Sequence, residues 1–471
     1  MKNKKIIFLL VLISFPLSAA KLSLSEYLEQ VSGGNQNYTA SQKSFEAGRN
    51  KSEEGDLMLA YSFFTNAQYS NDKRESNFSF VTGDRTTSGS LDFGFKKVTS
   101  FGFSGSLYYS VDYAYMHGAN TTFLSSNTYY ATSPVLEFRQ SLWQNAFGRQ
   151  TRAIVEATDA KNTSSSYAAS YVSKQILSGA EVLYWKLSVT RDLVKILEDN
   201  LERAEKLSQW SKKRASLNLA DDVDYLQSEA NVKMAQLELQ AAVDEEKETV
   251  REFNTMRGLN SDDLKDDLEK VTVDSVIRSD PPARKGVRED VLSLKEYARA
   301  AAANAKLSRD KNAPTMDLFS TLSLNGRDPK FDTSFKESWR GNYPYAVVGI
   351  QFNAPLDFRN IHRVNSGYEL DKLSAQDSYE RKSFEVDREW DSMNKKLNEL
   401  KGRLKIAKEA EDAQHKKYTH EQKRHKLGRT TTYQVILFEK DYAMSQYLRL
   451  QLQSQILQLI ATMKTFQGQE G

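Results

Sequence analysis

The spacing of apolar side chains predicts long helices in two stretches of the chain that lack proline. Neither residues 135–280 nor residues 356–471 contain proline, and both stretches are rich in residues that favour helices. In the first stretch, small and apolar residues alternate between spacings of four and three, the heptad pattern of a coiled coil. These residues are Ile176, Ala180, Leu183, Leu187, Thr190, Val194, Leu197, Leu201 and Ala204. We expect helices over about 149–217 and 363–427, each on the order of 100 Å long at about 1.5 Å per residue.

Both long helices are expected to end in a tight reversal. A leucine followed by a residue that tolerates the left-handed conformation closes each of them, at Leu217-Asn218 and at Leu427-Gly428. Residue types that are common at helix N-caps then restart the chain, and these are Asp221, Asp222, Thr430, Thr431 and Thr432. The sequence therefore predicts two antiparallel helical hairpins, over 149–257 and 363–466.

Side chains outside the helical stretches alternate with the two-residue period of β-strands. The clearest run covers 101–115, and other runs cover 57–65, 316–324 and 347–353. Residues 57–147 also hold 20 of the 51 aromatic residues of the chain, and alternating segments of about ten residues rich in aromatics are typical of membrane-spanning barrel strands. A soluble β-sandwich, whose strands also alternate, is the alternative. We favour the membrane interpretation for the two β regions, 57–145 and 314–357.

Each half of the chain supplies roughly two such strands, hence about four per chain. Closed bacterial barrels have at least about eight strands, and an open sheet edge cannot face lipid. One copy therefore cannot close a barrel by itself. Several copies must share one barrel, which favours a cyclic oligomer.

The chain also repeats its own pattern. Leu22-Ser23-Leu24-Ser25-Glu26-Tyr27 returns as Leu292-Ser293-Leu294-Lys295-Glu296-Tyr297, and the segment from Arg214 to Glu229 returns from Arg424 to Glu439. Two copies of one structural unit explain both pairs. We expect a first repeat over 21–280 and a second over 281–471, each with a short helix (residues 291–310 in the second), a β region and a helical hairpin.

The first repeat is longer than the second. The offset between matching segments shrinks from 270 to 210 residues, so the first repeat holds about 60 extra residues, for which loops are the tolerant positions. We place the insertion at about 76–130. We favour an outer loop that forms an extracellular hairpin, with additional wall strands as the alternative.

The N-terminal 20 residues have the pattern of a secretory signal peptide, with three lysines, an apolar run and small residues before the cleavage position. The apolar run is too short for a transmembrane helix, which is the alternative. Of the 65 Lys and Arg residues, removal of these three leaves 62, matched by 62 Asp and Glu, and this balance offers no basic face for nucleic acid. The absence of cysteine excludes disulfides, thiol catalysis and a lipid-modified N-terminal cysteine. We expect an exported protein of the periplasm or outer membrane of a Gram-negative cell.

No catalytic or metal site is evident in the sequence. The histidines that lie closest together are His415, His420 and His425, and a spacing of five does not bring side chains to one face of a helix. We expect these three side chains to be solvated and to hold no metal. The sequence has no glycine-rich phosphate loop, zinc-protease motif or nucleophile elbow. We predict a protein that is not an enzyme and has no cofactor.

The order of short helix, strand pair and long helical hairpin, repeated once, resembles the TolC-like outer-membrane efflux protein family. These proteins are the exit ducts of Gram-negative efflux pumps and type I secretion systems. The matching motifs extend over nearly the whole mature chain. They are the openings at Leu22 and Leu292, the strand-to-helix corner from Gln140-Ser141-Leu142 to Gly148-Arg149, the corner at Ala354-Pro355-Leu356-Asp357, and the two tip turns.

The resemblance implies a mainly α protein with β strands that acts as a homotrimer. Three copies of four strands would form one 12-stranded barrel in the lipid of the outer membrane, and the helical hairpins would continue it as a tunnel through the periplasm. The tips would dock a periplasmic adaptor protein joined to an inner-membrane transporter of the RND or ABC type. The exported substrate is not implied. An exported structural or adhesive coiled-coil protein without a conduit is the alternative.

The resemblance also implies roles for residues at the tips. Those expected to contact the adaptor are Arg214, Leu217, Asn218, Arg424, Leu427 and Gly428. An acidic ring at the periplasmic entrance would fall on Asp224, with Asp221 and Asp222 beside it. The second repeat has Gln434 at the equivalent entrance position, which departs from a double acidic ring. N-capping of a helix is the alternative role for Asp221 and Asp222.

Overall fold

The computed structural model describes residues 21–75, 79–122, 124–217, 221–264 and 266–468. The predicted signal peptide and Asn218 therefore lie outside the described residues. The chain divides into two compact units. Within the described residues, the helical unit comprises 21–44, 168–289 and 384–468, and the sheet unit comprises 45–167 and 290–383.

Helices make up most of the structure. The described α-helices are α1 (Leu24–Gly34), α2 (Gln36–Asn50), α3 (Ser79–Thr82), α4 (Arg149–Ser216), α5 (Asp222–Met256), α6 (Val273–Arg278), α7 (Glu289–Lys311), α8 (Phe331–Ser338), α9 (Phe358–Lys426) and α10 (Thr432–Met463). The two longest, α4 and α9, have 68 and 69 residues and contribute to both units. No helix in the described part of the chain combines the length and apolarity needed to cross a membrane.

The core of the helical unit explains the Leu-Ser-Leu-x-Glu-Tyr opening. Ser23 and Glu26 form a capping box at the start of α1, which fixes the first turn of that helix. Tyr27 is fully buried, and its ring stacks on Phe253 of α5 with 3.9 Å between centroids. The Tyr184 hydroxyl donates to the Leu22 carbonyl at 2.6 Å. The opening thus anchors the N-terminal segment to both helices of the first hairpin.

The strands form one antiparallel sheet in the sheet unit and a two-stranded pair in the helical unit. The described strands are β1 (Lys21–Leu22), β2 (Ser62–Asp72), β3 (Arg85–Val98), β4 (Phe103–His117), β5 (Thr128–Ser141), β6 (Asp267–Leu268), β7 (Thr315–Leu324), β8 (Gly326–Asp328) and β9 (Pro344–Asn353). The sheet has the order β2-β3-β4-β5-β7-β9, and β8 pairs with the end of β5 beyond β7. β1 and β6 pair in parallel.

The sheet corrects two expectations drawn from the sequence. An outer loop over 76–130 is wrong for residues 85–98 and 103–117, because β3 and β4 are long strands paired along their lengths with β2, with each other and with β5. Within the described residues, the main sheet therefore has six long strands and the short β8, where the sequence led us to expect about four strands. A strand beginning at Leu57 is also wrong, because residues 52–59 form a 3-10 helix that packs its Gly55 on the Val155 backbone.

A sharp corner joins the sheet to α4. Asn145, Phe147 and Gly148 have φ values of 57°, 50° and 79°, so the chain takes the left-handed conformation three times just before the helix. The Asn145 side chain accepts a hydrogen bond from the Thr151 backbone N–H at 3.0 Å, and Arg152 donates to the carbonyls of Ser100 and Phe147. These bonds fasten the turn between β3 and β4 to the first turn of α4.

We expect Gly148→Ala to destabilise the sheet unit by about 1–3 kcal/mol, because alanine tolerates the left-handed conformation poorly. The added Cβ would also overlap the carbonyl oxygen of Ser100. The midpoint of thermal unfolding checks this expectation. Gly402→Ala is the matched control, since a Cβ there meets open space within a helix and should be neutral or stabilising by about 0.5–1 kcal/mol. Equal midpoints for Gly148→Ala and wild type would contradict the prediction.

Candidate functional site

The main sheet has one apolar and one polar face across its whole width. Pairing aligns one row of cross-strand partners through six strands on the apolar face: Phe63, Phe95, Leu107, Leu136, Leu322 and Ala346. The neighbouring row on the opposite face is mostly polar: Ser62, Lys96, Ser106, Glu137, Thr321 and Val347. Because successive side chains point to opposite faces, the alternation read from the sequence becomes a sheet with two distinct surfaces.

The apolar face is exposed in the single chain. Phe95 and Leu107 are each 58% exposed and Ile350 is 62% exposed. A contiguous apolar surface of this kind marks contact with a membrane or with another protein. Large aromatic side chains lie near both ends of the strands. Trp143 and Phe352 pair at the end next to the α4 corner, with 6.2 Å between ring centroids, and Tyr113 and Tyr130 pair toward the opposite end at 5.2 Å. Aromatic girdles that flank an apolar band are typical of barrels that span membranes.

The polar face carries both signs of charge. Glu137 accepts hydrogen bonds from the Tyr108 hydroxyl at 2.9 Å and the Ser106 hydroxyl at 3.3 Å. Arg139 lies 3.5 Å from Asp317 on the adjacent strand. Charged side chains that are held by cross-strand partners suit a surface in contact with water. The sheet thus has one apolar surface and one polar surface that suits contact with water.

The short helix α8 lies against the apolar face. Ser338 and Tyr109 hydroxyl oxygens are 2.8 Å apart, and those of Ser334 and Thr132 are 2.9 Å apart. Trp339 stacks on Tyr109 with 6.1 Å between ring centroids and stays 59% exposed. The serine hydroxyls of α8 therefore form hydrogen bonds with hydroxyl groups of the sheet, and the helix covers them with exposed aromatic side chains.

The hairpin tips have the turn chemistry expected from the sequence. Gly428 has a φ of 72°, its N–H donates to the His425 carbonyl, and the Arg429 N–H donates to the Arg424 carbonyl. This pair of bonds is a Schellman motif. Across the turn, the Thr431 hydroxyl accepts from the Gln434 N–H at 3.3 Å. The sequence-predicted end of α9 and start of α10 are confirmed.

Leu217 and the predicted acidic residues lie at the first turn, and Leu427 lies at the second. Leu217 is 59% exposed and Leu427 is 68% exposed, so both predicted contact leucines offer apolar surface. Asp221 caps α5 by accepting a hydrogen bond from the Val223 N–H, which confirms the N-capping alternative for Asp221. Asp222 and Asp224 follow in the first turn of that helix, where carboxylates favour the positive end of the helix dipole.

The C-terminal parts of α4 and α9 and the first turns of α10 line a small cavity in the helical unit. Its volume is about 200 Å³, and its lining includes Arg203, Trp210, Tyr418, His425 and Glu439. The rings of Trp210 and His425 are 4.2 Å apart between centroids. The Arg203 guanidinium Nε lies 3.0 Å from the Glu439 carboxylate, and Glu439 is 3% exposed. The cavity joins the end of α4 to α9 and α10.

Two buried ionisable groups of this cavity have shifted pKa values. Burial lowers the pKa of His425, the positive charge of Arg214 lowers it further, and Asp224 and Glu421 oppose the shift. Burial raises the pKa of Glu439, and Arg203 opposes that shift. The expectation that His425 is solvated is wrong, because its side chain is 4% exposed. His415 and His420 are exposed, as expected.

We expect the tips to lose stability as pH falls below about 6.5, because the unfolded His425 then binds a proton that the buried neutral imidazole resists. Glu439 acts in the opposite direction at lower pH, since its raised pKa favours the protonated folded form. His425→Gln should therefore flatten the loss between pH 7.5 and pH 5.5, measured as hydrogen exchange at the end of α9. His415→Gln, at an exposed position, should keep the wild-type pH dependence. An unchanged profile in His425→Gln would contradict the assignment.

Solved structures of outer-membrane channels share this fold over most of the chain. The chain matches the outer-membrane channel OprN over 94% of its length and 89% of that chain, with 16% identity and a TM-score of 0.68. It matches the outer membrane protein VceC from Vibrio cholerae over 94% and 96%, with 14% identity and a TM-score of 0.68. It matches the open state of the Neisseria gonorrhoeae MtrE outer membrane channel over 94% and 89%, with 12% identity and a TM-score of 0.65.

These matches confirm, for the fold, the resemblance to TolC-like outer-membrane efflux proteins. No protein-family model matches the chain, and no curated protein matches it. The shared fold extends over nearly the whole chain and includes both the sheet and the helical hairpins.

Proposed function

We propose that the protein is a TolC-like exit duct of the outer membrane, formed by three copies of the chain. The observation that carries the proposal is the main sheet, whose apolar face and polar face extend through all six long strands. Such a sheet is stable in a bilayer only when its edges are paired. Its apolar face would contact outer-membrane lipid, and its polar face would line an aqueous passage.

The helical hairpins support the periplasmic part of this proposal. The four long helices α4, α5, α9 and α10 have 68, 35, 69 and 32 residues, and α4 spans on the order of 100 Å at about 1.5 Å per residue. Three copies would surround a tunnel with twelve long helices. The duct would be passive and would not catalyse a reaction. Substrates would leave through it toward the exterior when an energised inner-membrane transporter engages it.

The exposed tips support a docking role. Leu217 and Leu427 project apolar surface at the ends of the two long helices, and Arg214 and Arg424 precede them, with Arg424 paired to Glu421 at 3.1 Å. A periplasmic adaptor protein would bind these tips and link the duct to a transporter of the RND or ABC type. Asp221, Asp222 and Asp224 would give the entrance a negative charge that favours cations over anions.

Membrane fractionation and bilayer conductance test the proposal. We expect the protein in the outer-membrane fraction, as a trimer that survives electrophoresis without heating, and we expect the purified trimer to conduct ions across planar bilayers. A soluble periplasmic monomer would refute the duct. An outer-membrane trimer that never conducts, even after removal of the helical tips, would favour the structural or adhesive alternative.

Photo-cross-linking tests the docking role of the tips. A photoreactive amino acid placed at Leu217 or Leu427 should yield an adduct with a periplasmic adaptor in intact cells. The same probe at Leu237, which is 63% exposed on α5 but lies away from the turn, is the matched control. Equal adduct formation at Leu237 and at the tips would argue against docking at the tips.

A further inference from the structure

The hairpin of β3 and β4 is an integral part of the main sheet and lies between β2 and β5. β3 pairs with β2 over 11 residues and with β4 over 14, and β4 pairs with β5 over 13. The hairpin therefore separates β2 from β5, and removing it from the sheet would break two complete ladders of hydrogen bonds. An accessory loop would not need partners along its full length.

The side chains of this hairpin continue both faces of the sheet. Phe95 and Leu107 occupy the apolar row between Phe63 and Leu136, and Lys96 and Ser106 occupy the polar row beside them. The hairpin residues on the apolar face stay exposed, with Leu91 at 41% and Phe93 at 43%. An apolar face on strands of 14 and 15 residues is long enough for a membrane-spanning strand, which needs about 9–11 residues.

The inner turn of the hairpin is also fixed to the base of the wall. Arg152 of α4 donates to the Ser100 carbonyl at 3.0 Å, and the Ser141 N–H at the end of β5 donates to the Gly102 carbonyl at 3.3 Å. The turn between β3 and β4 thus reaches the same level as the corner where β5 becomes α4. β3 and β4 extend from this corner to the opposite end of the strands, as the other long strands of the sheet do.

We infer that each copy contributes six strands to the shared barrel, which therefore has eighteen strands when three copies close it. The inference rests on the proposed function. β2 and β9 are the edges of the sheet, each paired on one side only within the described chain. β2 of one copy would pair with β9 of the next copy. Because the six strands alternate in direction, this contact between copies is antiparallel like all the others.

The wider wall changes the passage and leaves the helical tunnel unchanged. Barrel diameter grows roughly linearly with strand number, so eighteen strands give a diameter about 1.5 times that of twelve. Barrels of about 16–18 strands enclose an aqueous channel. The four long helices per copy still supply twelve for the tunnel, because β3 and β4 join each other by a turn and not by a helix.

Cysteine cross-linking of the full-length trimer tests which strands meet between copies. The chain has no native cysteine, so every cross-linked product must come from the introduced cysteines. One set combines Thr65→Cys or Ala67→Cys on β2 with Val348→Cys or Ile350→Cys on β9, and a short bis-maleimide tolerates differences in register. The matched control combines Leu107→Cys on β4 with the same β9 positions. β4 lies three strands from the neighbouring β9 in an eighteen-stranded wall, at about 14 Å for about 4.8 Å per strand.

We expect covalent dimers and trimers from the β2–β9 pairs and at least tenfold less product from the β4–β9 pairs. Efficient β4–β9 products would show that β2 and β3 lie outside the barrel and would overturn the inference. A cryo-electron microscopy map of the unmodified trimer provides the second measurement. Eighteen wall strands would support the inference and twelve would overturn it, while leaving the duct intact. Failure to find an outer-membrane trimer would instead refute the proposed function.

Discussion

Leu107→Arg should prevent stable insertion of the protein into the outer membrane. Leu107 is 58% exposed on the apolar face of β4, between Phe95 and Leu136 in the same row. An arginine on the lipid face of a membrane barrel costs up to about 2–4 kcal/mol at the midplane, and a trimer would carry this cost three times. The amount of heat-labile trimer in the outer-membrane fraction measures the effect, which we expect to be a loss of at least tenfold.

The adjacent residue offers a matched control. Ser106→Arg places the same side chain on the polar face, where Glu137 lies 3.3 Å from the Ser106 hydroxyl and can pair with a new cation. We expect near-normal trimer yield and a changed ion preference in planar bilayers, because the added positive charges would line the passage. Equal trimer yields for Leu107→Arg and Ser106→Arg would mean that the apolar face does not contact lipid.

Arg203→Ala should strongly destabilise the helical unit near the tips. It leaves the Glu439 carboxylate, 3% exposed, without the guanidinium that lies 3.0 Å away. Breaking a buried ion pair by removing one partner typically costs about 3–5 kcal/mol. We expect hydrogen exchange in α10 to lose protection by a comparable free energy, with increased proteolysis near the tips.

The pH dependence and a double variant distinguish this cause from simple loss of packing. Burial raises the pKa of Glu439 and Arg203 holds it down, so the pKa rises further in Arg203→Ala. The variant should therefore be closest to wild type at pH 5 and should lose stability as pH rises toward 8. The double variant Arg203→Met, Glu439→Leu should recover most of the lost protection. A defect in Arg203→Ala that is independent of pH would contradict this account.

The start of α4 and the end of α9 were predictable because caps are local, whereas α9 begins at Phe358, before the expected 363. The structure begins α4 at Arg149 and ends α9 at Lys426, close to the expected 149 and 427, and the signals are single residues such as Thr431 and Gly428. The positions of the tip leucines were predictable for the same reason, because each leucine lies next to the turn that ends its helix. Local chemistry of this kind does not depend on the rest of the fold.

The position of β3 and β4 could not be predicted from local pattern. The alternation over 101–115 is strong in the sequence, and it identifies a strand, but period alone does not say which strand lies beside it. That information is in the register, where Phe95 faces both Phe63 and Leu107. Extra residues in one copy of a repeat suggest a loop added at the surface. In the structure these residues instead form β3 and β4, which lie between β2 and β5 in the sheet.

Similar sequence motifs also have different environments in the two halves. Tyr27 is fully buried on Phe253, whereas Tyr297 of the second motif is 56% exposed. His425 belongs to a helix rich in charges and yet packs on Trp210, a residue 215 positions earlier. Burial of this kind depends on partners remote in sequence, which neither helical period nor composition reveals.

The contact between Tyr27 and Phe253 has a consequence for folding, because it joins segments that are synthesised far apart in time. The Tyr27 hydroxyl and the Phe253 carbonyl are partners 226 residues apart, and Lys464 reaches Glu181 across 283 residues at 2.6 Å. Contacts so distant in the chain form slowly, because a large loop must close first. A chain made from its N-terminus cannot complete both contacts before its last helix is present, and unpaired strand edges are prone to aggregate during that interval.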